Sequence, residues 1–181
     1  MIKLTTSFLK ISSKWQGKNR VVDFIDAFSS AKSILLLMPD NPEEFEIAHK
    51  FLKHIERDFF RARILYLIRD SYLQQLNEKQ RHGTIFVAKD DINPFGLPKR
   101  KLKHKIMATH YDIVIDLNQN FHPLSTYLCR KTDAALKVCL ENQEREPFYN
   151  FSVRTQIETA LAEKYKKLLK YLRLFIKNNR H

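Results

Sequence analysis

Hydrophobic positions along this chain switch between two repeats. Ser33–Met38 (SILLLM) is a continuous apolar run ending at Pro39, the form of a strand buried on both faces. Ile64–Ile68 (ILYLI) reads the same way, and Thr84–Ala88 (TIFVA) and Ala135–Leu140 (ALKVCL) read as further strands. Tyr111–Leu117 (YDIVIDL) sets Ile113, Ile115 and Leu117 on one side and Asp112, Val114 and Asp116 on the other. Between these runs the spacing changes to three and four. Phe45, Ala48, Phe51, Leu52, Ile55 and Phe59 mark a helix that Asp40 or Asn41 can cap. Pro42 suits its first position, and Glu43 and Glu44 suit its positive end. Ser71–Lys79 predicts a short helix with Leu73 and Leu76 inward, broken at His82-Gly83. Residues 98–109 predict another, with Leu102, Ile106 and Met107 on one side, and Leu124–Arg130 a third. This alternation predicts an α/β fold: a Rossmann-like open parallel sheet of about five strands with helices on both faces.

Three parts follow from the pattern. Residues 1–30 are expected to form a helical arm carrying Phe8, Leu9, Ile11 and Trp15, then Val21, Val22, Phe24, Ile25 and Phe28. Residues 31–150 hold the α/β domain, closing with a polar connection (141–151) that ends in aromatics. Residues 151–181 carry a long amphipathic basic helix, about Ser152 to Lys177, packed on or extending from the domain. Its apolar stripe is Ile157, Leu161, Tyr165, Leu168, Leu172 and Phe175, and its basic stripe is Lys166, Lys170, Arg173 and Lys177. Tyr66, Tyr111, Phe86 and Phe95 are read as core.

Composition sharpens this picture. With 44% apolar and 29% charged residues in 181, the chain is globular rather than disordered. Basic residues outnumber acidic ones 32 to 20, a net charge of +12. Residues 1–20 and 99–105 each carry five basic and no acidic side chains, and 151–181 carries eight basic against Glu158 and Glu163. The remainder holds 14 basic and 18 acidic, so three segments supply all of the excess. The anion-binding candidates are Lys99, Arg100, Lys101, Lys103, Lys105, Lys166, Lys170, Arg173 and Lys177. They suit a phosphorylated glycan or lipid, an anionic membrane surface, or nucleic acid; the alternative is a set of solvated faces. The terminal helix could equally meet a protein partner.

Several chemistries are excluded by spacing. Gly17, Gly83 and Gly96 lie too far apart for a dinucleotide or P-loop glycine motif, and no cofactor is expected. Cys129 and Cys139 stand alone, which rules out four-cysteine zinc sites and C-x-x-C redox chemistry and fits a reducing compartment. Glu46 and His49 share a helix face but lack the matching helices of a di-metal bundle, so no metal is expected. Ser7, Ser125 and Cys129 sit in no nucleophile-elbow context. No apolar run reaches the ~18 residues of a membrane span, and the N-terminus lacks the features of a signal peptide. A cytoplasmic location is expected, with the inner-membrane surface left open.

In open parallel sheets ligands lie beyond the carboxyl ends of the strands. That places Asp40, Asn41, Arg69, Asp116, Asn118, Asn120 and His122 on one rim as the candidate ligand-binding set. Carboxylates, amides and a histidine can hydrogen-bond a sugar or hold a cation, and a carboxylate beside His122 could tune it as a base. The plainer reading is that such rims are always polar and full of helix caps.

His110–Leu140 (HYDIVIDLNQNFHPLSTYLCRKTDAALKVCL) resembles the amino-terminal half of glycosyltransferase family 9, the heptosyltransferases. Tyr111–Leu117 is similar to the family's YDLVIDLQ strand. Ser125–Arg130 with Thr132–Ala134 is similar to its SALLARLSGA helix, and Lys137-Val138 to the strand that follows. The strand–helix order from Ser33 fits the same half-fold. Asn93–Lys99 (NPFGLPK) and Phe148–Ser152 also resemble an uncharacterised bacterial single-domain family of about this length, related to that half-domain. The family's first loop, R-x-G-x-x-G-D, is replaced here by Met38-Pro39-Asp40-Asn41-Pro42-Glu43, where Asp40 or Glu43 would stand in for its base. The roughly 40 residues after Leu140 are too few for the donor-binding second domain. The resemblance therefore implies a non-catalytic half-domain, a binding or accessory module in cell-envelope glycan metabolism; any catalysis would be glycosyltransferase-like. The alternatives are a basic nucleic-acid-binding module and a small enzyme working at the rim through Asp116 and His122.

Overall fold

The computed structural model describes residues 22–177. Six strands form one sheet: β1 (Ser33–Leu37), β2 (Arg63–Arg69), β3 (Thr84–Val87), β4 (Ile113–Asp116), β5 (Leu136–Leu140) and β6 (Phe151–Val153). Their order is β3-β2-β1-β4-β5-β6, and every neighbouring pair is parallel. The helices are α1 (Phe24–Ser29), α2 (Pro42–Asp58), α3 (Glu78–His82), α4 (Arg100–Met107), α5 (Pro123–Lys131) and α6 (Leu161–Lys177). This is the expected Rossmann-like α/β architecture.

The apolar runs are continuous because both faces of the sheet are covered. Ile34, Leu36, Ile113 and Ile115 pack with Phe28 of α1, Phe45, Leu52 and Ile55 of α2, and Leu168 and Leu172 of α6. Leu35, Leu37 and Val114 turn the other way, against Leu102 and Ile106 of α4 and Leu124 and Leu128 of α5. Each fully buried Leu or Ile contributes about 1.5–3 kcal/mol. Side chains set the ends of the elements. Asn41 Oδ1 accepts the N–H groups of Glu43 (3.0 Å) and Glu44 (3.1 Å), and Pro42 opens α2. Asp112 Oδ2 accepts from the N–H groups of Lys32 (2.8 Å) and Ser33 (2.9 Å), joining the starts of β1 and β4.

Several expectations are corrected. The expected parallel sheet of about five strands has six among the described residues. Asn150 places the sixth, since its Oδ1 accepts the Lys137 N–H (2.8 Å) and its Nδ2 donates to the Ala135 carbonyl (2.7 Å). The terminal helix begins at Leu161, not near Ser152, and Ile157 is 89% exposed rather than part of the stripe. Ser71–Lys79 is not one helix but a 3-10 turn (Asp70–Gln75) followed by α3, with Leu76 buried and Leu73 exposed. Tyr66 and Tyr111 are core, whereas Phe95 is 55% exposed. Of the expected N-terminal arm, only the part from Val22 onward lies within the described residues, and it contains α1.

Candidate functional site at the sheet switch point

From β1 the chain builds outward to β2 and β3, then returns to β4 on the other side of β1. Strand order reverses between β1 and β4, so a crevice opens beyond their carboxyl ends. Asp40 lies three residues after β1, Arg69 ends β2, and Asp116 ends β4. Topology alone therefore gathers three of the candidate side chains.

At the outer end, Asp40 Oδ2 accepts from Arg69 Nε (2.8 Å) and lies 2.6 Å from Arg69 Nη2 and 3.1 Å from His122 Nε2. Burial pushes the Asp40 carboxyl up. The hydrogen bonds from His122 and Arg69, with their charges, outweigh burial and hold its pKa at about 2. The Tyr72 hydroxyl donates to the Asp40 carbonyl (2.7 Å). His122 is the N-cap of α5: its Nδ1 accepts the Ser125 N–H and lies 3.1 Å from Ser125 Oγ. With Nδ1 on the Ser125 side, Nε2 is the nitrogen that donates to Asp40.

The chain of contacts continues inward. Asn118 Nδ2 donates to Ser125 Oγ (3.0 Å) and to Asp116 Oδ1 (2.7 Å), which also accepts the Asn118 N–H (2.9 Å). Asp116 Oδ2 pairs with Arg145 Nη2 at 2.6 Å and accepts from the Tyr149 hydroxyl. Arg145 Nη1 donates to the Asn118 carbonyl, and its guanidinium lies over the Tyr149 ring, 4.8 Å from the centroid. The seam runs from an accessible end to a sealed one: the Asp40 side chain is 30% exposed, those of Asp116 and Arg145 0%. Burial, then the Asp116 charge, pushes the Tyr149 hydroxyl far up. Burial disfavours the Arg145 charge, yet Asp116 holds it firmly protonated.

Asp40, Arg69, His122, Asn118 and Asp116 thus form one hydrogen-bonded chain. Asn41 is spent on capping α2, and Asn120 is exposed on the β4–α5 loop. Ser125, Arg145, Tyr149 and Tyr72 belong to the seam and were not among the sequence candidates. One signal could have found a partner for Asp116: a carboxylate on a strand buried on both faces requires a buried counter-charge. Glu44 Oε2 also crosses the crevice to accept the Gln119 N–H (3.3 Å).

Chemically, an Asp ionised down to about pH 2 is a fixed acceptor and a poor base. Ser125 is buried with its Oγ engaged, and Asp116 is closed to solvent. Cys129 and Cys139 are buried free thiols; burial pushes both up, Cys139 to about 12. Among the described residues no three His, Cys, Asp or Glu side chains converge as metal ligands, and no helix is long and apolar enough to cross a membrane.

The basic candidates do not converge. Lys99, Arg100, Lys101, Lys103 and Lys105 lie exposed along α4, in the layer that packs on Leu35 and Leu37. α6 lies in the opposite layer. There Lys166 pairs with Glu163 (2.5 Å), Arg173 pairs with Asp58 (2.6 Å), and Lys170 is exposed. Lys177 is the last residue of α6, and the basic segment 1–20 lies outside the described residues.

Two solved structures share the fold. The chain superposes over 78% of its length on 41% of a glycosyl transferase family 9 protein from Veillonella parvula DSM 2008, with TM-score 0.58 and 19% identity. It superposes over 77% of its length on 47% of the E. coli heptosyltransferase WaaC, solved with ADP-2-deoxy-2-fluoro heptose, with TM-score 0.53 and 14% identity. At these identities the likeness is one of fold, and this chain spans less than half of either protein. No curated protein matches it. The model of DUF6913, a family of unknown function, matches residues 5–175, and the chain belongs to that family.

Proposed function

We propose that this chain is a non-catalytic, heptosyltransferase-like half-domain, a binding or accessory module whose ligand surface is the rim between β1 and β4. The observation that carries the reading is the state of Asp40. Three nitrogens converge on one of its oxygens, and the carboxyl stays ionised down to about pH 2. Such a group is a poor base near neutral pH, but it is an oriented acceptor for a donor-rich ligand such as a sugar. Its Oδ1 makes no hydrogen bond among the described residues and is available to such a ligand. The family 9 likeness supports a glycan as the ligand class, and cell-envelope glycan metabolism as the setting.

The test pairs turnover with binding. Purified protein is incubated with sugar nucleotides and phosphorylated sugars while nucleotide release and amide chemical shifts are followed. The reading expects no release, and saccharide-induced shifts around Asp40 and His122 that Asp40→Ala abolishes. Turnover that disappears in Asp40→Asn or His122→Ala would show a catalytic site instead.

A further inference from the structure

We propose that the exposed face of α4 docks on an anionic lipid surface. The proposal is independent of the rim. Arg100, Lys101, Lys103, His104 and Lys105 are all exposed, as is Lys99 at the N-cap; only Leu102 and Ile106 of the helix are buried. None of the five Lys and Arg side chains forms an ion pair among the described residues. Some cations elsewhere are partnered, Lys50 with Glu46, Lys166 with Glu163, Arg173 with Asp58 and Arg154 with Glu141, while others such as Lys53, Lys167 and Lys170 form no ion pair among the described residues either. What sets this helix apart is five unpaired cations within seven residues.

The first turn of this helix is electrostatically unfavourable, although His104 and Lys105 suit its last turn. Positive charges at 99–101 face the positive end of the dipole, no acidic residue occupies the first turn, and no side chain caps it. Lys99 and Lys103, then Lys101 and Lys105, are like-charged pairs at four-residue spacing. A surface that breaks local stability rules while its apolar side packs normally is the mark of selection for a partner. Charge complementarity makes that partner anionic.

Two features favour a bilayer over nucleic acid. Four of the five cations are Lys, hydrated point charges without the fork that fixes phosphate geometry. The basic positions of α4 also fan over an arc of about 200°, not along one line, a spread that long flexible Lys stems can bring to one surface. Mobile headgroups can gather around such a face, whereas a strand of phosphates follows a track.

The test is flotation of the full chain with vesicles of phosphatidylcholine alone, or mixed with phosphatidylglycerol. Binding is expected only to the anionic vesicles, and high salt should release it. Each lysine near such a surface is worth about 1 kcal/mol, roughly fivefold. The triple change Lys101→Gln, Lys103→Gln, Lys105→Gln should therefore weaken binding on the order of a hundredfold, with near-ultraviolet circular dichroism unchanged. Lys167→Gln with Lys170→Gln on the opposite layer should leave it within a few-fold. No binding by the unaltered chain would overturn the proposal. So would binding that survives the α4 triple change, or tighter binding to a short DNA duplex than to vesicles.

Discussion

Asp116 and Arg145 show how strongly one pair can commit a fold. Both are fully buried, so removing either strands the other's charge in the core. Arg145→Met should cost about 3–5 kcal/mol in urea unfolding, and adding Asp116→Leu should recover only part of the loss, because it removes the stranded charge but leaves the Asn118 N–H and the Tyr149 hydroxyl without their buried acceptor. A loss under about 1 kcal/mol for the single change would contradict the pairing. Asp40 gives a pH signature. Its pKa falls from 3.8 to about 2 in the folded chain, so its stabilising effect is complete above the ordinary value and disappears as pH falls through the folded one. The stability gap between the native chain and Asp40→Asn should therefore shrink by roughly 2 kcal/mol on acidification from pH about 5 to about 2. A gap independent of pH in that window would contradict the assignment. Asp40 and Asp116 were visible in the sequence as rim carboxylates. Arg145 was not, because an arginine between Glu144 and Glu146 beside Pro147 has the composition of a surface loop; only closure of 141–150 over β4 buries it.

Elements were legible where pattern and capping agreed. α2 combined an apolar stripe, Pro42 and an Asn cap, and it forms within a residue of expectation. Asn41→Ala should therefore cost about 1 kcal/mol by loss of two capped N–H groups, read by thermal unfolding. β6 was illegible because three residues are too few to show alternation, and its pairing depends on Asn150 gripping β5. The start of α6 was misplaced because Ile157 falls by coincidence four residues before Leu161, extending the period into a loop. The loop before α4 is fixed by Gly96 at φ 78°, where an added Cβ would stand 2.9 Å from the Cβ of Pro123. Gly96→Ala should destabilise the chain by at least about 1–2 kcal/mol, the cost of the left-handed backbone alone. An unchanged melting curve would show that this loop does not brace α5.

At the scale of the molecule, strand order does most of the functional work. It carries Asp40 and Asp116 to adjacent strand ends, and α5 adds His122 and Ser125 between them. Parallel alternation was legible in the sequence, but the strand order, and so which strands flank the crevice, depends on a crossover that periodicity does not encode. The layers also separate the two described basic segments, so the positive charge forms no single binding face. Above all, the rim's accessible carboxylate is held as an acceptor by three nitrogens and makes a poor base. A carbon-13 carboxyl titration of Asp40 measures this directly. The account predicts a midpoint near pH 2; a midpoint of about 6 or above, the range of a working general base, would contradict it.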